Sequence, residues 1–132
     1  MSNDNAELIR TAYEAYARGD LVTMLGLIDP DLEWTFLDPS ETDPAPQTCH
    51  GRHELRHALE RQRSQGLRSE LEEVIGRGDQ VMVVTRTPGL DAVRARQAAD
   101  RNVDLFTVRA GRVVAMRACR DRYEAMKLAG IV

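Results

Sequence analysis

The sequence is poor in most features that mark a specialised class of protein. Aromatic residues make up 5% of the chain, with one Trp, and only two cysteines occur in 132 residues. Lysine is almost missing: of the 18 basic residues, Lys127 alone is Lys. That is a compositional bias toward Arg rather than a chemical signal. No apolar run approaches the roughly 18–20 residues that span a bilayer, so no membrane partner is expected. The opening Met1-Ser2-Asn3-Asp4-Asn5 lacks a basic segment followed by an apolar core, so no signal peptide is expected. Cys49 and Cys119 match no redox or zinc spacing. These absences predict a cytoplasmic protein with two reduced thiols. No Gly-rich phosphate loop, internal repeat or low-complexity tract occurs.

What is present describes an ordinary globular chain. Hydrophobic residues are 42% and charged residues 30%, which excludes a disordered polymer. The length fits one domain over 1–132, with enough surface to bury a core. The net charge of −3 gives nucleic acid no general attraction. The charge is unevenly spread: residues 1–66 sum to −6 and residues 67–132 to +3.

The hydrophobic pattern changes period along the chain. Residues 4–18 place Leu8, Ile9, Ala12, Tyr13 and Tyr16 on one side of a helix that Gly19 ends. Asp20 caps a second short helix carrying Leu21, Met24, Leu25 and Ile28. Asp29-Pro30-Asp31 reads as a turn. Leu32, Trp34 and Phe36 then alternate with polar residues as in a strand. Residues 38–51, with three prolines, read as a long loop of the kind that borders sites. A third helix is predicted from about Arg52 to Gln65, burying Leu55, Ala58, Leu59 and Gln62. Strands follow at Leu71–Ile75, Val81–Thr87, Val103–Val108 and Val113–Cys119, the last two joined by Ala110-Gly111. Residues 90–101 fit either a short helix or an edge strand. Asp121 caps a final helix that Gly130 stops. The order α-α-β-α-β-β-β-β-α predicts an α+β fold, with an antiparallel sheet and helices on one face.

That order and its phrasing resemble the SnoaL-like branch of the nuclear-transport-factor-2-like superfamily. The carrying residues are Ala17-Arg18-Gly19-Asp20-Leu21, Asp31-Leu32-Glu33-Trp34, Gly51, and above all the stretch from Val103-Asp104-Leu105-Phe106 to Met116-Arg117. The resemblance implies a cone-shaped, curved, mixed sheet wrapped around helices, enclosing a pocket, and a homodimer packed through the sheet. It implies no single activity, because the fold hosts isomerases, cyclases, hydrolases and non-enzymatic binders. It places Asp104 where steroid isomerases of the superfamily keep a protonated oxyanion-hole Asp, an enzyme that is a standard worked case of a neutral carboxyl. Other parts of that pattern differ. Ala12 stands at the Tyr position, with Tyr13 beside it, and Phe36 stands at the general-base position. Asp38 would reach that position only if the strand were two residues longer. The epoxide-hydrolase pattern keeps Arg86, but Pro88 and Ala118 fill its carboxylate positions.

Asp104 is the candidate catalytic residue on chemical grounds too. It sits within an apolar strand, where burial disfavours the charged carboxylate and raises its pKa, unless Arg86 or Arg120 pairs with it. Alternation and helix face predict a pocket lined by Tyr16, Trp34, Phe36, Met82, Val84, Arg86, Phe106 and Met116, suited to a small, largely apolar molecule. The alternative is a non-enzymatic dimeric module using the other sheet face. That face carries Leu105, Thr107, Arg109, Val113, Ala115, Arg117 and Cys119. His53-Glu54-Leu55-Arg56-His57 matches the zinc-protease helix motif. Its histidines point away from the apolar face at Leu55, Ala58 and Leu59, so no metal and no cofactor is expected. Arg18-Gly19-Asp20 spells an adhesion tripeptide but reads as a helix stop followed by a helix cap. Cys49 and His50, as neighbours on an extended segment, point apart.

Overall fold

A computed structural model describes residues 4–36, 47–64, 70–86, 101–119 and 121–131. Among them are four helices and six strands: α1 (Asp4–Ala17), α2 (Leu21–Gly26), β1 (Ile28–Phe36), β2 (Gln47–His50), α3 (Gly51–Ser64), β3 (Glu70–Arg77), β4 (Gln80–Arg86), β5 (Arg101–Arg109), β6 (Arg112–Cys119) and α4 (Arg122–Ala129). Asp38, Pro88, Arg120 and most of the segment 90–101 lie outside the described residues, as does the side chain of Phe36. No helix among the described residues is long and apolar enough to cross a membrane.

The strands form one sheet in the order β2-β1-β6-β5-β4-β3. Every pairing is antiparallel except β1 with β6, which is parallel, so the sheet is mixed. Two tight turns close the hairpins at one end. In the β5–β6 turn both Ala110 and Gly111 take positive φ, 52° and 75°, which matches the right-handed twist of the strands they join. The opposite ends of all six strands (Phe36, Gln47, Glu70, Arg86, Arg101 and Cys119) lie together at the other end of the sheet.

Three local differences from the sequence reading have physical causes. Residues 47–50 are not loop but strand β2, because the outer edge of β1 offers unpaired backbone groups at Glu33–Phe36. Asp29-Pro30-Asp31 does not separate α2 from the strand but lies inside β1. Its turn chemistry survives as a break in register with β6 between Ile28 and Glu33. There the Asp31 N–H donates to Asp29 Oδ1 at 2.8 Å. Ile28 opens β1 rather than ending α2.

Helices cover both faces, not one. On the inner face, Ile9, Ala12 and Ala15 of α1 pack with Val81, Val83, Phe106, Val108 and Trp34. On the outer face, α4 lies over Met82, Val84, Val103, Leu105 and Cys119. Asp121 caps α4 through its carboxylate, which accepts from the Glu124 N–H at 2.8 Å, and Gly130 ends it at φ 70°. Arg122 reaches Glu73 on β3 at 3.0 Å, and Arg77 donates to the Gly130 carbonyl. A bulge in β6 between the pairs Thr107–Ala115 and Val108–Val113 turns Val113 inward, where it is 1% exposed. So the expected outer face loses Val113 to the core and Leu105 and Cys119 to α4.

Met82 is fully buried in this outer cluster. Met82→Ala removes most of a side chain that α4 cannot collapse to replace. It should cost about 2–5 kcal/mol of stability in urea unfolding while leaving chemistry on the inner face unchanged.

Candidate functional site

Strand register decides which side chains can meet. Cys49, Trp34, Met116, Phe106 and Val81 stand opposite one another in a row across β2, β1, β6, β5 and β4. The next row toward the open strand ends is Val83, Asp104 and Ala118, and beyond it Thr85 stands opposite Asn102. Strand alternation gives these rows one inner face. Phe106 and Trp34, 7% and 6% exposed, belong to the inner core, with Met116 half-buried against it. Val81, Val83, Val108 and Ala15 are fully enclosed. The inner face is therefore tightly packed toward the hairpin turns, and Asp104, Asn102 and Thr85 sit nearer the opposite strand ends.

Of the pocket residues expected from sequence, the structure brings together Asp104, Phe106, Trp34 and Met116. It does not bring Met82 and Val84 to them. The pairs Val81–Phe106 and Val83–Asp104 put the odd residues of β4 beside the even residues of β5. Met82 and Val84 consequently face α4. Arg86 occupies a position of the same parity as Met82 and Val84, at the end of β4. Tyr16 remains near the inner core, where its hydroxyl donates to the Leu59 carbonyl at 3.5 Å and ties α1 to α3.

The residue that sequence reasoning did not place in the site is Tyr13. It meets Phe106 edge-on, with ring centroids 6.2 Å apart. Burial pushes its phenol well above the usual tyrosine range, and the nearby Asp104 carboxylate pushes it further. The phenol of α1 thus stays neutral within electrostatic reach of the β5 carboxyl. The available signal was helix spacing: Tyr13 precedes Tyr16 by one turn on the face that packs inward. Asn102 and the buried Thr85 extend the same inner face toward the strand ends opposite the hairpin turns.

Other candidates resolve differently. Cys119 lies in the cluster under α4. Burial, with help from Glu124 and Asp104, pushes its thiol up to about 11, so it stays protonated at neutral pH and is a poor nucleophile. His53 and His57 are exposed on α3, as expected. No cluster of three metal-ligating side chains occurs among the described residues. A surface depression of about 540 Å³ lies between α2, α3 and β1, and Asp104 is not among its lining residues.

A family model for the SnoaL-like domain matches residues 9–116. The chain belongs to the SnoaL-like domain family. This SnoaL-like match spans both Tyr13 and Asp104. No curated protein matches the chain by sequence. Among solved structures, the chain is similar to an NTF2-like protein of Burkholderia thailandensis, with 22% identity, a TM-score of 0.68, and 96% and 98% of the two chains covered. It is similar to TerC, co-crystallized with polyporic acid, at 21% identity and a TM-score of 0.64, covering 97% and 99%. It is also similar to a candidate polyketide cyclase of Sinorhizobium meliloti, at 14% identity and a TM-score of 0.64, covering 86% and 94%. At these identities the likeness carries the fold.

The Tyr13 shift has a consequence for stability. Unfolded Tyr ionises near pH of about 10, whereas the folded chain holds the phenol proton to higher pH. The folded state then binds more protons, so this contribution is complete below pH of about 10 and is lost as pH climbs to the folded value. Tyr13→Phe should flatten the alkaline decline in urea-unfolding stability. It should also remove the latest phase of the tyrosinate absorbance titration.

Proposed function

We propose that this SnoaL-like chain binds a small, largely apolar carbonyl compound at the mouth of its cone and performs acid–base chemistry on it at Asp104. The observation that carries the reading is the Tyr13–Asp104 pair, held beside Phe106 on an apolar inner face. A phenol that stays neutral is a hydrogen-bond donor suited to an oxygen that gains negative charge. A carboxyl beside it can take a proton from the neighbouring carbon and return it at a second position. Met116, Phe106 and Trp34 supply the apolar wall, and Asn102 a further amide. Two of the similar structures, described as a candidate polyketide cyclase and as TerC with polyporic acid, are in keeping with an organic ligand of this class.

The non-enzymatic alternative needed an apolar outer face left open for a partner. Much of that face is occupied by α4. What remains includes Thr107, Ala115 and the exposed Glu33 and Arg117. A self-complementary pairing of Glu33 with Arg117 across a two-fold axis suits a homodimer through this strip. Light scattering at micromolar concentration should report a dimer, and Arg117→Glu should shift it toward monomer. A strict monomer in the parent would remove the dimer from the proposal.

The chain has a single Trp, Trp34, buried beside the site. Its fluorescence should therefore change when polyporic acid or an aromatic enone enters the cone. Asp104→Asn should change unfolding stability by less than about 1 kcal/mol while weakening that response and abolishing any proton exchange the parent catalyses. A stability loss of about 3–5 kcal/mol would instead mark Asp104 as the anchor of a buried ion pair.

A further inference from the structure

We propose that His53 and His57 form a two-point chelate for a divalent transition metal on the exposed face of α3. The pair sits at i and i+4, the spacing that stacks two side chains on one helix face. The rings stand edge to face, with centroids 4.5 Å apart and planes at 88°. Their Nε2 atoms are 3.1 Å apart.

That separation is the bite of a metal ion. Metal–imidazole bonds of about 2.0–2.1 Å place two nitrogens about 2.9 Å apart at a right angle and about 3.3 Å apart at the tetrahedral angle. The observed distance falls between the two. Without metal, the Nε2–H of one ring donates to the Nε2 of the other. With metal, a small turn of each exposed ring about its Cβ–Cγ bond aims both lone pairs at one point.

Two guanidinium groups among the described residues lie near the pair, and both are engaged. Arg52 donates to the Leu25 and Ile28 carbonyls, and Arg56 is engaged by Glu60 at 2.9 Å. Glu54 accepts from the His50 backbone N–H at the start of the helix and keeps its negative charge close by. Two imidazoles and no carboxylate ligand select nickel-, copper- or zinc-like ions over magnesium or calcium. With no cluster of three metal-ligating side chains among the described residues, water completes the coordination. Such a site is open, unlike the closed four-ligand sites that hold structural zinc. His53 also lines the depression together with Leu21, Leu25, Pro30, Arg52 and Arg56. The open positions therefore stand at the rim of a hollow lined by apolar side chains and two guanidinium groups, where an anionic small molecule can reach the metal.

The test is calorimetric titration of Ni2+ into the metal-free full chain, with Mg2+ as control. One Ni2+ per chain should bind and Mg2+ should not. His53→Ala and His57→Ala should each abolish Ni2+ binding, while His50→Ala should retain it. Ni2+ should raise the melting temperature of the parent and not that of the two variants. Melts of each variant without metal check that the helix persists, and His53→Gln and His57→Gln replace any variant that fails to fold. Absence of Ni2+ binding to the parent, or binding that survives both substitutions, overturns the proposal.

Discussion

Strand β4 is closed from water on both sides, and its pairing with β5 assigns every other element to a face. Val81 and Val83 turn toward α1, while Met82 and Val84 turn toward α4, and none of the four is more than 5% exposed. A slip of one residue would exchange the two sets. With β5 held in place, Met82 or Val84 would then stand opposite Asp104 where Val83 now does. The register therefore stabilises two hydrophobic clusters and fixes the neighbour of the acid at once. The continuous apolar run of β4 also explains why simple alternation is a poor guide there: a strand buried twice has no polar face to read.

Much of the architecture was legible because it is local. The caps at Asp20 and Asp121, the stop at Gly130 and the turn at Ala110-Gly111 each act within a few residues. The structure carries them as the sequence predicts. What could not be read is what depends on partners distant in the chain. Strand β2 has little pattern of its own and exists because β1 needs a neighbour. Val113 changes face through one extra residue in β6. Nothing in the sequence of α4 states which side of the sheet it will cover.

The candidate site shows the same division. Asp104 stood out because a carboxyl inside an apolar strand demands an explanation. Tyr13 did not stand out, because a tyrosine on the packed face of a helix is ordinary until its partner is known. Their proximity is a property of the fold: α1 crosses the sheet at the level of Phe106, which brings the phenol under the influence of the Asp104 charge. Placing Met82 and Val84 in the pocket failed for a related reason. Two strands can each alternate correctly and still be joined in either of two phases.

The parallel pairing of β1 with β6 bears on how the chain is made. Trp34 finds its neighbour Met116 only when the last strand has been synthesised. Until then, the edge of β1 opposite β2 has no strand to pair with. Such long-range closure slows folding and leaves apolar surface open to chaperones or to aggregation. The newborn chain also lacks the candidate site until β5 is made, since Tyr13 belongs to the first helix and Asp104 to the penultimate strand. Any ligand that bridges the two would act on the maturing chain as a template, favouring the closed sheet over its unfinished forms.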